Sequence, residues 1–245
     1  VAASACNGDT KQFSVQASGL SITYQWQLST DGGNTWTDIT NNSTYNGSST
    51  STLTVGSVNQ AMNGNRYRAI VSGIPCGTVN SAGATLYVNA NPDVSLSAST
   101  TALNPSIKAI VTATATPAGN YTYDWYKNNI LLTGVDGSTY EAGIDDVGDL
   151  KVIARNQATG CADTSAALRI TGLQSDIVFI APNPNDGIFT VRFYKDPVSG
   201  PQERFLTIYD SKGARVYVRK YSIVAIYEKM QVTLPNLASG VYMVE

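Results

Sequence analysis

The chain has no histidine, only three cysteines in 245 residues, and a charged fraction of 14%. Without histidine it lacks the commonest general base, the usual activator of a serine or cysteine nucleophile, and the ligand of most zinc sites. Three scattered cysteines are too few for a metal cluster, so neither a metal nor a cofactor is expected. A net charge of −2 leaves no basic stripe for nucleic acid. No apolar run approaches the ~20 residues of a membrane-spanning helix; "SDIVFIAP" and "SIVAIY" are strand-length. Nowhere does a nucleophile sit with a base, and the carboxylates are scattered on turns rather than paired as in a glycosidase. The chain is therefore expected to be non-enzymatic. It begins "VAASACNGDT", with no initiator Met, basic n-region or apolar h-region. That start predicts the C-terminal part of a longer protein.

What is present is Gly, Ser, Thr and Asn, spread between short alternating runs. Strand signals recur every 8–12 residues or so, and no segment holds a helical period, which predicts an all-β chain of small sandwiches. Charge shifts along it. Residues 173–245 hold 8 of the 16 Lys+Arg and 7 of the 18 Asp+Glu. That change supports a boundary at 172–173 and a division into three tandem β-sandwich domains, 1–89, 90–172 and 173–245.

In the first, "QFSVQASG" alternates through Phe13, Val15 and Ala17, and "YQWQLS" puts Tyr24, Trp26 and Leu28 on one face. "TDGGNTW" is a hairpin turn, with Gly32 and Gly33 free to take positive φ. A buried Trp26 with Tyr67 in "MNGNRYRA" resembles an immunoglobulin-like core and its tyrosine corner, which implies that Tyr67 tethers the backbone. Ala69 stands where the second core cysteine of that fold would be, so the usual inter-sheet disulfide is absent. Cys6 and Cys76 flank the module instead, and in an oxidising compartment their pairing would close a loop of ~70 residues. The alternatives are two unpaired thiols, or a partner upstream. Trp36, Tyr45 and the "NNSTYNGSST" loop are the groups placed to touch a ligand such as a sugar; a solvated loop is the simpler account.

The second module repeats the first at a spacing of ~85 residues. "YTYDWYKNN" places Tyr121, Tyr123 and Trp125 as Tyr24 and Trp26 were placed, and Leu150 replaces the corner tyrosine. Cys161 has no early partner within the module and reads as a buried, unreactive thiol. Asp145, Asp146 and Asp149 could suggest calcium, but a turn entering a strand explains them more simply.

Three ordered blocks mark the last module. Pro182-Asn183-Pro184-Asn185 is followed by Gly187 and Phe189, then Tyr209-Asp210 with Gly213, then Leu237 with Gly240-Val241-Tyr242. The prolines cannot donate to a ladder, so they mark an edge or entry segment. Asn185-Asp186-Gly187 forms a tight turn, and Phe189, Val191 and Phe193 share a face. Together the blocks resemble the type A C-terminal sorting domain of the Bacteroidetes type IX secretion system.

That resemblance implies a folded address label exported across the outer membrane to the cell surface. Its partners would be the outer-membrane translocon and the substrate-shuttle β-barrel, with attachment to surface lipopolysaccharide to follow. The recognition residues it implies are Pro182, Asn183, Pro184, Asn185, Gly187, Phe189, Asp210, Gly213, Leu237, Gly240 and Tyr242. Members of that family usually run a little past "GVYMV", whereas this sequence stops at Glu245, which suggests truncation or a lost tail. The expected whole is a surface protein of adhesin or gliding type. The alternatives are the rear of a large secreted protease or glycosidase, or a pair of carbohydrate-binding modules.

Overall fold

The computed structural model describes residues 2–74, 77–234 and 238–245. Apart from two short 3-10 turns, Gln60–Met62 and Ile144–Asp146, its regular structure is all β. The first strands are β1 (Ala3–Cys6), β2 (Lys11–Ser14), β3 (Leu20–Ser29), β4 (Thr37–Asp38), β5 (Tyr45–Asn46) and β6 (Thr52–Val55). Next come β7 (Arg66–Ile74), β8 (Gly77–Asn80), β9 (Ala84–Asn89), β10 (Asp93–Ala98), β11 (Ala102–Leu103) and β12 (Ala109–Thr116). These are followed by β13 (Tyr121–Lys127), β14 (Ile130–Leu131), β15 (Thr139–Ala142), β16 (Gly148–Asn156), β17 (Ala162–Thr164) and β18 (Leu168–Gly172). The last six are β19 (Phe179–Ala181), β20 (Ile188–Arg192), β21 (Gln202–Tyr209), β22 (Arg215–Ile223), β23 (Met230–Thr233) and β24 (Met243–Val244).

The chain divides into two compact units. One comprises Val1–Val94, Ala115–Tyr123 and Ile153–Thr164; the other comprises Ser95–Thr114, Asp124–Val152 and Ser165–Glu245.

In the first unit one sheet runs β1-β9-β7-β3-β4, with β8 on β7, and a second runs β2-β6-β5. Period-2 alternation turns Phe13, Leu53 and Val55 of the smaller sheet toward Trp26, Tyr67, Ala69 and Leu86 of the larger. Two core aromatics handle their polar atoms differently. The Trp26 indole N–H donates to the Thr50 carbonyl at 2.9 Å. The Tyr67 ring stacks on Phe13 with centroids 4.7 Å apart, but its buried hydroxyl has no hydrogen-bond partner among the described residues. The backbone tether expected of Tyr67 is therefore not made among the described residues. Gly32 and Gly33 take φ of 77° and 100° in the β3–β4 turn.

The disulfide differs from the expected one. Cys6 at the end of β1 is bonded to Cys161, 155 positions further along the chain, with Cα atoms 5.5 Å apart. Cys161 is therefore neither odd nor free, and the proposed Cys6–Cys76 pairing is replaced; Cys76 itself lies outside the described residues. β1 lies parallel to β9, which carries Cys6 to the end of the first repeat opposite Asn89. Cys161 sits beside β17, whose partner stretch Ile153–Arg155 belongs to the same unit.

In the second unit β12 pairs β15, β16 pairs β18, β11 lies parallel to β18, and β13 turns into β14. Leu103, Val111, Trp125, Leu150 and Ile170 are fully buried there. The Trp125 indole donates to the Gly137 carbonyl at 3.0 Å, as Trp26 does to Thr50 in the first unit. The final sandwich has one sheet in the order β19-β20-β23 and another in the order β22-β21-β24. Its core is Phe189, Val191, Met230 and Val232 from the first sheet and Leu206, Ile208 and Ile223 from the second.

Candidate recognition face

One end of the final sandwich gathers the marked blocks. The loop after β19 holds Pro182 to Gly187, with both peptide bonds that precede proline cis. Inside it, the Asn185 amide donates to the Pro182 carbonyl at 3.3 Å, and Asn185 Oδ1 accepts from the Gly187 N–H at 2.8 Å. Gly187 takes φ of 96°, a left-handed conformation that disfavours any residue with a Cβ. Its carbonyl accepts from Leu234 N–H at 2.7 Å, which ties this loop to the exit of β23. As expected of proline-rich chain, the segment follows an edge strand.

The third block approaches from the other sheet. β24 pairs β21 antiparallel, with Val244 opposite Ile208 and Met243 opposite Tyr209. The preceding residue, Tyr242, therefore lies at the same end as the Asp210 turn. The Tyr242 hydroxyl donates to the Ala238 carbonyl at 2.7 Å and draws that loop closed. A cleft of about 470 Å³ opens between the two loops. Asn183, Pro184, Asn185, Gly187, Phe189, Gly240 and Tyr242 line it, over Ile180, Ile208 and Val244.

Not every marked residue faces this cleft. Phe189 is 7% exposed and works chiefly as core. Asp210 shapes a turn: its Oδ1 accepts from Lys212 and Ala214 N–H, both at 2.8 Å, and Gly213 takes φ of 82°. Neither Asp210 nor Gly213 is among the cleft's lining residues, and Pro182 contributes only its carbonyl to the loop. Leu237 lies outside the described residues. At the sheet edge the nearby Glu245 carboxylate raises the Tyr209 phenol above its ordinary range. Among the described residues the cleft offers amide donors and acceptors over an apolar floor.

Elsewhere Trp36 is half-buried, with the Arg68 guanidinium 4.2 Å from its ring centroid and its indole N–H on the Gly33 carbonyl at 3.0 Å. One ring face is thus taken by a protein cation. Tyr45 packs against the core beside Tyr67, on the other sheet. The structure does not bring the two into one surface. The three acids at the start of β16 and in the turn before it meet protein partners. Asp145 meets Arg192 and Lys229, Asp146 accepts from Gly143 N–H at 2.8 Å, and Asp149 meets Arg169 at 3.0 Å. The partners of Asp145 lie far away in sequence and carry no sequence signal.

Residues 179–245 match the family described as secretion system C-terminal sorting domain, and residues 2–90 match a domain of unknown function (DUF8696). The last sandwich is therefore a type IX sorting domain, and the protein is cargo of that system, destined for the cell surface or the extracellular space. No curated protein matches the chain. Among solved structures, the N-terminal four Ig domains of Dscam1 isoform 4.44 match at 15% identity, covering 71% of this chain and 43% of that one, with a TM-score of 0.35. The N-terminal eight Ig domains of DSCAM isoform 1.30.30 match at 15% identity over 92% of this chain and 31% of that one, with a TM-score of 0.33. The chain thus spans under half the length of either structure. Among the described residues no helix is long and apolar enough to cross a membrane.

Proposed function

We propose that the chain is the C-terminal part of a non-catalytic surface protein of adhesin or gliding type. In this reading the cleft between the Pro182–Gly187 loop and the Ala238–Tyr242 loop is the face its export machinery reads. The observation that carries it is convergence. Two motif blocks more than fifty residues apart in sequence line one cleft, and a third forms the turn at the same end. Asn183 and Asn185 are exposed at the rim, where a partner's backbone could pair with their amides. The outer-membrane translocon and the shuttle β-barrel are the partners, and attachment to lipopolysaccharide follows export. The two preceding repeats serve as spacers, with domains at 1–89, 90–172 and 173–245.

The test places a reporter ahead of the whole chain in a type IX-competent host. Wild-type chain is expected to deliver it outside the cell. Changing Asn183, Asn185 and Tyr242 together to Ala should leave the reporter in the periplasm. A reporter exported equally well by both chains would overturn the assignment of the cleft.

A further inference from the structure

The sorting domain does not hang free of the repeat that precedes it. The 3-10 turn before β16 presents Asp145, and Arg192 at the end of β20 grips its carboxylate with two nitrogens, at 2.8 and 3.0 Å. Lys229 reaches the same carboxylate at 2.9 Å. The Arg192 side chain is only 12% exposed, and its remaining contact is the Tyr227 carbonyl at 3.1 Å. Without Asp145 this covered guanidinium would keep one neutral acceptor, a costly state for a largely desolvated cation.

The segment that carries Lys229 is itself fixed from within the last module. Tyr227 is fully buried, its ring set edge-on to Phe179 and Tyr194, and its hydroxyl donates to the Leu173 carbonyl at 2.7 Å. Its backbone takes φ of 51°, a left-handed conformation that a bulky residue holds only where its surroundings fix it. The contact with the preceding repeat is made next to it: a Cβ added to Gly172 at the end of β18 would meet Ile226 Cγ2 at 2.5 Å, so the Ile226 side chain packs directly on the Gly172 backbone.

We propose that these contacts form a latch: Asp145 clamps the sorting domain to the body of the preceding repeat, and the machinery receives the two as one stiff piece. The charge complementarity is local, one carboxylate facing two cations, and among the described residues no hydrogen bond within its own repeat uses the Asp145 side chain. Between the anchors, Ile177 and Val178 stay exposed in the connecting segment. The latch rests on side-chain geometry alone; only its consequence for export depends on the proposed function.

Thermolysin, which cuts before large apolar residues, tests this on the full chain. Cleavage at Ile177 or Val178 needs the connecting segment to leave its anchors. Asp145→Asn and, independently, Gly172→Ala are each expected to raise the rate of that first cut about fivefold, the scale of one partly exposed clamp. Cuts elsewhere in the last sandwich should stay as slow as in wild type. An unchanged rate in both variants would overturn the latch, as would cleavage that rises only together with cuts throughout the last sandwich. The readout needs no export, so a chain that stays in the periplasm yet shows the faster cut sinks only the export assignment.

Discussion

Tyr67 and Asp145 show how far a residue's surroundings decide its worth. The Tyr67 phenol is pushed above its ordinary range, first by burial and then by the neighbouring Tyr45 hydroxyl. Its oxygen lies buried without a hydrogen-bond partner. Removing such a hydroxyl abolishes an unmet desolvation cost and keeps the ring stacked on Phe13. Tyr67→Phe is therefore expected to leave the thermal midpoint unchanged or raise it. A fall equivalent to more than about 1 kcal/mol would mean that the hydroxyl makes a bond after all. Asp145 is the reverse case. Hydrogen bonds from Arg192, and then from Lys229, hold its carboxyl down at about 2 against a burial that pushes it up. With the folded value depressed, its contribution is fully present above the ordinary value near ~4 and is lost as pH falls through about 2. An NMR titration of the full chain should find this carboxyl among the last to protonate, and Arg192→Gln should move it up. No movement would remove Arg192 as the cause.

Elements were largely legible, because alternation around Trp26, Trp125 and Phe189 is a local signal and each strand needs only its own period. The hairpin turns followed from Gly33 and Gly213, whose left-handed φ few other residues accept. Disulfide pairing was not legible, since connectivity is fixed by which strand ends meet in space. Parallel pairing of β1 with β9 carries Cys6 away from its own module's logic and toward Cys161, 155 residues on. Peptide mapping without reductant is expected to recover Cys6 linked to Cys161, and a Cys6–Cys76 peptide would refute the topology of this unit. Losing the bond through Cys6→Ser should cost about 5 kcal/mol on the chain-entropy account of so long a loop. A chemical-denaturation midpoint measured with and without reductant checks this. The motif blocks were legible in order but not in convergence, because their meeting depends on β24 closing onto β21 across the sandwich. Within the first block, Gly187→Ala is expected to cost about 1–2 kcal/mol from its left-handed φ alone. Denaturation of the full chain reads that loss, and an unchanged midpoint would mean the turn relaxes.

At the scale of the molecule, the compact units do not follow the sequence repeats. One unit takes in Asp124–Val152 together with Ser165–Glu245, so the body of the second repeat and the sorting domain share contacts that the period of ~85 residues conceals. Independent beads would melt independently, each with the enthalpy of its own core. Docked pieces couple, because separating them first strips the covered Arg192 of its carboxylate and lifts Ile226 off Gly172. Calorimetry of the full chain, with its disulfide intact, is therefore expected to show the last sandwich melting in the same transition as the body of the preceding repeat. Asp145→Asn combined with Gly172→Ala should split that transition in two while leaving the total enthalpy nearly unchanged, since both cores remain packed. A wild-type chain that already melts in separate steps would leave the sorting domain a loosely tethered tag. Its stiffness would then come from its own two sheets alone, and the repeats behind it would bear on export only through their length.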